Sequence, residues 1–258
     1  MRKGKKSPDE MTFLEHLEDL RKRLFYSFIA LFVGLVPAWF FHKELFDILS
    51  RPVTQYLPEG TELAFTKLTA PFMMYIKVSF LASLFLSSPF IFFQVWMFIA
   101  PGLYKKEKKY VVPFVLFTTI FFAAGAVFGY FVVFPFACRF FLSMGSEFQA
   151  VITIDDYFSL ALRVLLGIAL VFELPTLTFF LSRMGILTAR WMIKNFKYAV
   201  LLVFVIAAII TPTPDWMTQS IIAFPMLALY GLSILIAFVF GKRKGKKKKT
   251  DTEDDLAG

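Results

Sequence analysis

Cysteine and histidine are nearly missing from this chain. Cys138 stands alone, so no intrachain disulfide can form, and two histidines without neighbouring cysteines leave too few donors for a metal centre. There is no HExxH pair, no GxSxG nucleophile elbow and no Gly-rich phosphate loop, which removes the common hydrolase and nucleotide-binding chemistries; no cofactor is expected. Charge is scarce as well. Only 18% of the 258 residues are charged, against about a quarter in soluble domains. What fills the space is apolar: 58% hydrophobic residues, 35 of them Phe, and a mean hydropathy of +0.66. An all-α integral membrane protein is the class this composition predicts.

Hydropathy divides the chain into six candidate spans. Residues 1–23 form a basic start and an amphipathic stretch in which Phe13, Leu14, Leu17, Leu20 and Leu24 recur at helical spacing, expected to lie at the membrane interface. The spans then run Leu24 to Phe41, Phe72 to Ile99, Val111 to Ala137, Tyr157 to Leu181, Tyr198 to Ile210 and Met217 to Phe240. The fifth is short. Thirteen apolar residues reach about 20 Å, against a hydrocarbon core of about 30 Å, so a locally thinned bilayer is one accommodation. His42 to Ala70 reads as an ordered outer loop with short helical pieces, Cys138 to Asp156 as a polar loop, Pro89 as a kink, and 241–258 as a charged tail. The whole is expected to be a single polytopic domain over 1–258, its six-helix membrane region at 24–240.

The net charge of +9 raises the question of nucleic acid, but the basic residues lie between apolar spans. Seven occur before Leu24, four in the loop after the second span, four in Arg183 to Lys197 and seven in the tail, so 22 of the 28 Lys and Arg share one side. The positive-inside rule places both termini and these loops in the cytoplasm, and a nucleic-acid role loses its support.

Two groups of acids stand out. Glu15, Glu18, Asp19 and Glu107 sit among cations near the membrane surface, where local pairing at four-residue spacing is the bland explanation. Glu173 is different, because it falls near the middle of YFSLALRVLLGIALVFELPTLTFFL. A charge at that depth costs about 2.5 to 3.5 kcal/mol on insertion scales. A structural carboxylate bonded to a neighbouring helix, a proton relay and a polar floor for a bound segment are all open. Arg163 is ten residues away on the same helix, about 15 Å along its axis, and is no obvious partner. Pro175 is expected to bend the helix and free backbone carbonyls at this depth.

The motifs HLEDLRKRL (His16 to Leu24), SSPFIFFQVWMFIAPGLYKKEKK (Ser87 to Lys109), YFVVFPFA (Tyr130 to Ala137), FELP (Phe172 to Pro175) and TPTPDWMTQ (Thr211 to Gln219) occur in order along nearly the whole chain. In this the sequence resembles the TatC family, the multispanning receptor subunit of twin-arginine protein translocation. The resemblance implies six transmembrane helices with cytoplasmic termini, an inner-membrane location, and a receptor and translocation core, not an enzyme. It implies that Asp19, where the family usually has Glu, and Glu107 contact the paired arginines of signal peptides, with Glu18 able to share that role. Arg21 shapes the site by pairing with the acids, while Phe98, Leu103 and Tyr104 flank it. Glu173 lines a membrane-facing groove, and Pro52, Asp215 and Gln219 take structural roles on the outer side. The implied partners are twin-arginine signal peptides of folded precursors, single-span Tat subunits of the TatA and TatB type, and the lipid bilayer. Self-association stays open. The alternative from another class is a proton-coupled carrier that uses Glu173, which requires a second polar cluster at membrane depth.

Overall fold

The computed structural model describes residues 13–55, 63–99, 111–145, 147–148, 151–211 and 216–241. The helices are α1 (Phe13–Phe40), α2 (His42–Thr54), α3 (Ala70–Ile99), α4 (Val111–Phe128), α5 (Phe134–Met144), α6 (Ile154–Val171), α7 (Leu174–Arg183), α8 (Ala189–Lys194), α9 (Phe196–Ile210) and α10 (Trp216–Phe240). Among the described residues, five helical stretches are long and apolar enough to cross a membrane, and α9 is a shorter apolar helix of 15 residues.

The expected division at Leu24 is absent, because the amphipathic stretch and the first span are one helix. At about 42 Å, α1 is some 12 Å longer than a hydrocarbon core, so its first turns project along the span axis. Its inward stripe is His16, Asp19, Arg23, Ser27, Gly34 and Ala38, at three- and four-residue spacing, and that stripe packs on α3. The seam is polar and close. Ser83 and Ser87 of α3 donate to the carbonyls of Leu31 and Ala30, the latter at 2.8 Å, and Ser79 reaches the Ala38 carbonyl at 3.5 Å. Gly34 stands opposite these hydroxyls, and a methyl added there would meet Ser87 Oγ at 2.5 Å. Small residues and hydroxyls are how helices associate where lipid removes the hydrophobic drive.

Two other boundaries move. The third span does not end at Ala137: after a π-helical turn at Gly129–Val133 the chain stays helical through α5 to Met144, with Phe134, Ala137 and Cys138 buried. The polar composition beyond Cys138 marks a helix leaving the apolar layer, not a loop. The fourth span begins earlier, at Ile154, where Thr153 caps α6 by accepting from the Asp156 N–H. It breaks at Phe172–Glu173, and α7 continues to Arg183, ending in a Schellman motif with Gly185 at φ 78.

The break has a local cause. Pro175 has no N–H for the Val171 carbonyl, so Glu173 N–H turns to Leu170 at 3.1 Å and the α-helical ladder is interrupted. At Pro89, α3 stays continuous and Ser88 Oγ donates to the carbonyl of Phe85 that the proline leaves unpaired, at 2.8 Å. The core gathers on α6, where Phe158, Ala161, Val164 and Ile168 are buried between α3, α4, α2 and α10. Across from it α10 packs chiefly on α7 and α9. At one end, α2 and a single parallel bridge between Ala64 and Thr153 close the bundle, and Lys77 of α3 ties to Asp155 of α6 at 2.6 Å. At the other end lie the carboxyl ends of α3, α7 and α10 and the start of α4.

Replacing Gly34 by Leu forces the Ala30 and Leu31 carbonyls of α1 away from the Ser83 and Ser87 hydroxyls of α3. The expected outcome is a loss of about 2 to 4 kcal/mol, read as a lower melting temperature in detergent, whereas Val33→Leu on the exposed face leaves it unchanged. Equal melting of Gly34→Leu and the parent would refute the seam.

Candidate functional site

The basic end is assembled by α1 and α3. His16 stacks on Phe98, with ring centroids 4.4 Å apart and planes 19° from parallel, so the start of α1 is fastened to the last turn of α3. Asp19 lies one turn further along the same face of α1, half-buried, and its Oδ2 accepts from Arg23 Nε at 2.7 Å. Among the described residues the cation that pairs with Asp19 is Arg23. Glu18 and Arg21 are exposed, because one and two residues from Asp19 the helix has turned about 100° and 200° away from it. Leu103, Tyr104 and Glu107 lie outside the described residues, on the segment that leaves α3 just after Ile99.

Between α3, α4, α7 and α10 at this same end is a cavity of about 570 Å³. Its walls are apolar, chiefly Phe114, Phe117, Phe121, Phe179 and Phe180, with Arg183 at the end of α7. Edge-to-face contacts hold them: Trp96 meets Phe114 at 4.0 Å and Phe180 at 4.3 Å. Two polar groups of the lining are buried without partners, Trp96 Nε1 and Thr176 Oγ1. Glu173 is 7% exposed, and its Oε1 also has no hydrogen-bond partner. It is not itself among the lining side chains; Pro175 and Thr176, two and three residues on, are. Buried polar atoms without partners cost about 1 to 3 kcal/mol each, which is why nearly all are satisfied in folded proteins. Their gathering around one cavity gives an incoming chain something to bond. Nothing in the composition announced Trp96 and Thr176; only the helix break brings Thr176 round to face Trp96.

At the opposite end Pro52 is buried in the last turns of α2. A proline there cannot donate to the carbonyl of Ile48, and Tyr130 Oη donates to it instead, at 2.6 Å. Tyr157 Oη donates to the neighbouring carbonyl of Leu49 at 2.7 Å. The two hydroxyls, from the third and fourth spans, clamp α2 across the end of the bundle. Gln219 is half-buried in the first turn of α10, and Asp215 lies outside the described residues. Tyr130 and Tyr157 are the residues that sequence reasoning missed here; they are hydrogen-bond donors to a proline-broken helix.

Helices of bilayer length around a lined recess that ends beside an unpartnered carboxylate define a polytopic membrane transport component. The chain belongs to the TatC family: residues 15–225 match the family described as Sec-independent protein translocase protein (TatC). It is 44% identical to the Sec-independent protein translocase protein TatC of Koribacter versatilis over 246 residues, 94% of this chain and 91% of that protein. The TatC protein of Desulforapulum autotrophicum is also 44% identical, covering 98% of this chain and 92% of its own. A crystal structure of the twin arginine translocase receptor TatC superposes with a TM-score of 0.77 at 36% identity, over 86% of this chain and 98% of that one.

Tyr130→Phe removes the only side chain seen to answer the Ile48 carbonyl and is expected to cost about 1 kcal/mol of stability. In a Pro52→Ala background the restored N–H takes that carbonyl, and the cost of Tyr130→Phe should fall toward zero. Thermal unfolding of the four proteins of this cycle checks it, and an equal cost in both backgrounds would exclude the compensation.

Proposed function

We infer that this chain is the twin-arginine signal-peptide receptor and core subunit of a translocase that carries folded proteins across the inner membrane. The observation that carries the reading is Asp19, which sits on the α1 face fastened to Phe98 and already holds one guanidinium, that of Arg23. A guanidinium fork matches a carboxylate bidentately, as an ammonium cannot, and such charge-assisted bonds are worth about 1.5 to 3 kcal/mol each. An incoming arginine would displace Arg23 and reach Asp19, while Glu107, on the adjoining segment, would take the second arginine of the pair. Glu18, exposed on the flank, stays available to the same peptide. Phe98, Leu103 and Tyr104 supply apolar surface beside the acids.

In this reading the chain is one polytopic domain with six crossings, α9 being the short one, and both termini on the cytoplasmic side where the basic residues gather. The first turns of α1 extend the first span into the cytoplasm, with the remaining residues before Leu24 as their continuation and 241–258 as a charged tail. The recess beside Glu173 receives the apolar part of a signal peptide or the membrane span of a TatA- or TatB-type subunit, whose polar side chain would meet Glu173, Thr176 and Trp96. The transmembrane proton gradient supplies the energy. Pro52, Asp215 and Gln219 hold the outer side in shape.

A peptide bearing paired arginines should bind the purified protein with affinity that falls as salt rises. Asp19→Ala or Glu107→Ala should each weaken binding about tenfold or more, at 1.5 to 3 kcal/mol per lost contact. Unchanged affinity in the single and double variants would remove the assignment. For Glu173 the expected pattern is transport retained in Glu173→Gln and impaired in Glu173→Ala, as a polar lining requires. Loss in both would point to a proton relay.

A further inference from the structure

The outward line of α6 and α7 reads Asp156, Arg163, Leu170 and Leu177, all exposed and seven residues apart, so Arg163 is a cation in a face that otherwise meets lipid. It lies nine residues after Ile154, about 14 Å along the helix. Its neighbour one turn inward is Gly167. There Ile210, the last residue of α9, approaches so closely that an added methyl would sit 2.5 Å from Ile210 Cδ1. Thus α9 stops at the level of Gly167, one turn below Arg163, about 20 Å along α6 from its start. Nothing of α9 covers α6 beyond that point.

Among the described residues the nearby acids are engaged elsewhere. Asp155 holds Lys77 Nζ at 2.6 Å, and Asp156 Oδ2 accepts from Thr153 Oγ1 at 2.7 Å. The Lys77 ammonium also reaches Ser159, one turn outward from Arg163, at 3.1 Å, so that hydroxyl is engaged as well. No ion pair reaches Arg163 among the described residues. Trp216, at the start of α10 and 73% exposed, is the residue type that settles at a membrane–water boundary. An exposed guanidinium at the level where a short helix ends demands an anion or water, and a bilayer thinned over the short span brings its own phosphates to that depth.

We propose that Arg163 binds the phosphate of a phospholipid in the leaflet at the α2 end, drawing the headgroup layer down to the level where α9 stops. The guanidinium fork would grip two phosphate oxygens, and its aliphatic stem would lie along the apolar face. This rests on the membrane-spanning reading of the chain and not on signal-peptide recognition.

The test uses full-length protein labelled with ¹³C at arginine Cζ and reconstituted in phosphatidylglycerol bilayers without free phosphate, read by ¹³C–³¹P dipolar dephasing. Arg163→Lys keeps the charge and the fold while deleting one label of nine, so the difference spectrum isolates this site. The expected result is a rapidly dephasing component, about one-ninth of the arginine signal, present in the parent and absent in the variant. The same protein in phosphorus-free galactolipid bilayers with inorganic phosphate added should show no such component. Superimposable curves for parent and variant would overturn the site, and so would equal dephasing with inorganic phosphate. A chain that does not span the membrane would instead fail to reconstitute at all.

Discussion

Every polar group placed at bilayer depth must find its partner inside the protein, and most of this structure follows from that demand. The prolines make it acute. Pro52 and Pro89 each strip a carbonyl of its helical donor, and in both cases a hydroxyl answers: Tyr130 at Ile48, Ser88 at Phe85. The longest helix–helix seam, α1 on α3, is held by serine hydroxyls donating to backbone carbonyls across a close approach at Gly34. Lys77, charged and inside a span, is drawn to Asp155 and Ser159 at the end of the neighbouring helix. In a medium that cannot solvate, such bonds both stabilise the bundle and fix its register.

Against that background stand the exceptions. Thr176 Oγ1 and Trp96 Nε1 in the lining of one apolar recess, and Glu173 Oε1 outside that lining, are buried without partners among the described residues. The helix break that Pro175 imposes is what allows it. An unbroken helix would continue the α6 packing on α4; the break turns α7 toward α10 and opens the space among α3, α4, α7 and α10. The recess and its unsatisfied atoms thus have one origin, and both are complementary to a helix that brings polar groups into an apolar setting.

The class of protein and the positions of its long apolar helices were legible in the sequence because composition acts over tens of residues. The family was legible because QVWMFIAPGLYKKEKK and its companions are long. What was hidden is tertiary. That α1 is one helix through Leu24 depends on the His16 stack and the serine seam, neither of which alters local periodicity. Apolar content marks where a helix enters lipid and not where it ends, so α5 runs seven residues past Ala137. Which of Glu18 and Asp19 lies on the face of α1 that meets α3 could not be read from charge spacing; the small residues Ser27, Gly34 and Ala38 were the available signal for that face. Arg23, four residues after Asp19, has the spacing of a helical ion pair.

The two intramembrane charges of the α6–α7 span are handled in opposite ways, and their neighbours decide which. Glu173, beside the break between α6 and α7, is buried, and its Oε1 meets no hydrogen-bond partner among the described residues. Arg163 stands one turn past the end of α9, where packing stops, so solvent or lipid must satisfy it. The difference in helix length between α9, at 15 residues, and α10, at 25, therefore sorts the two charges into an internal and an external site.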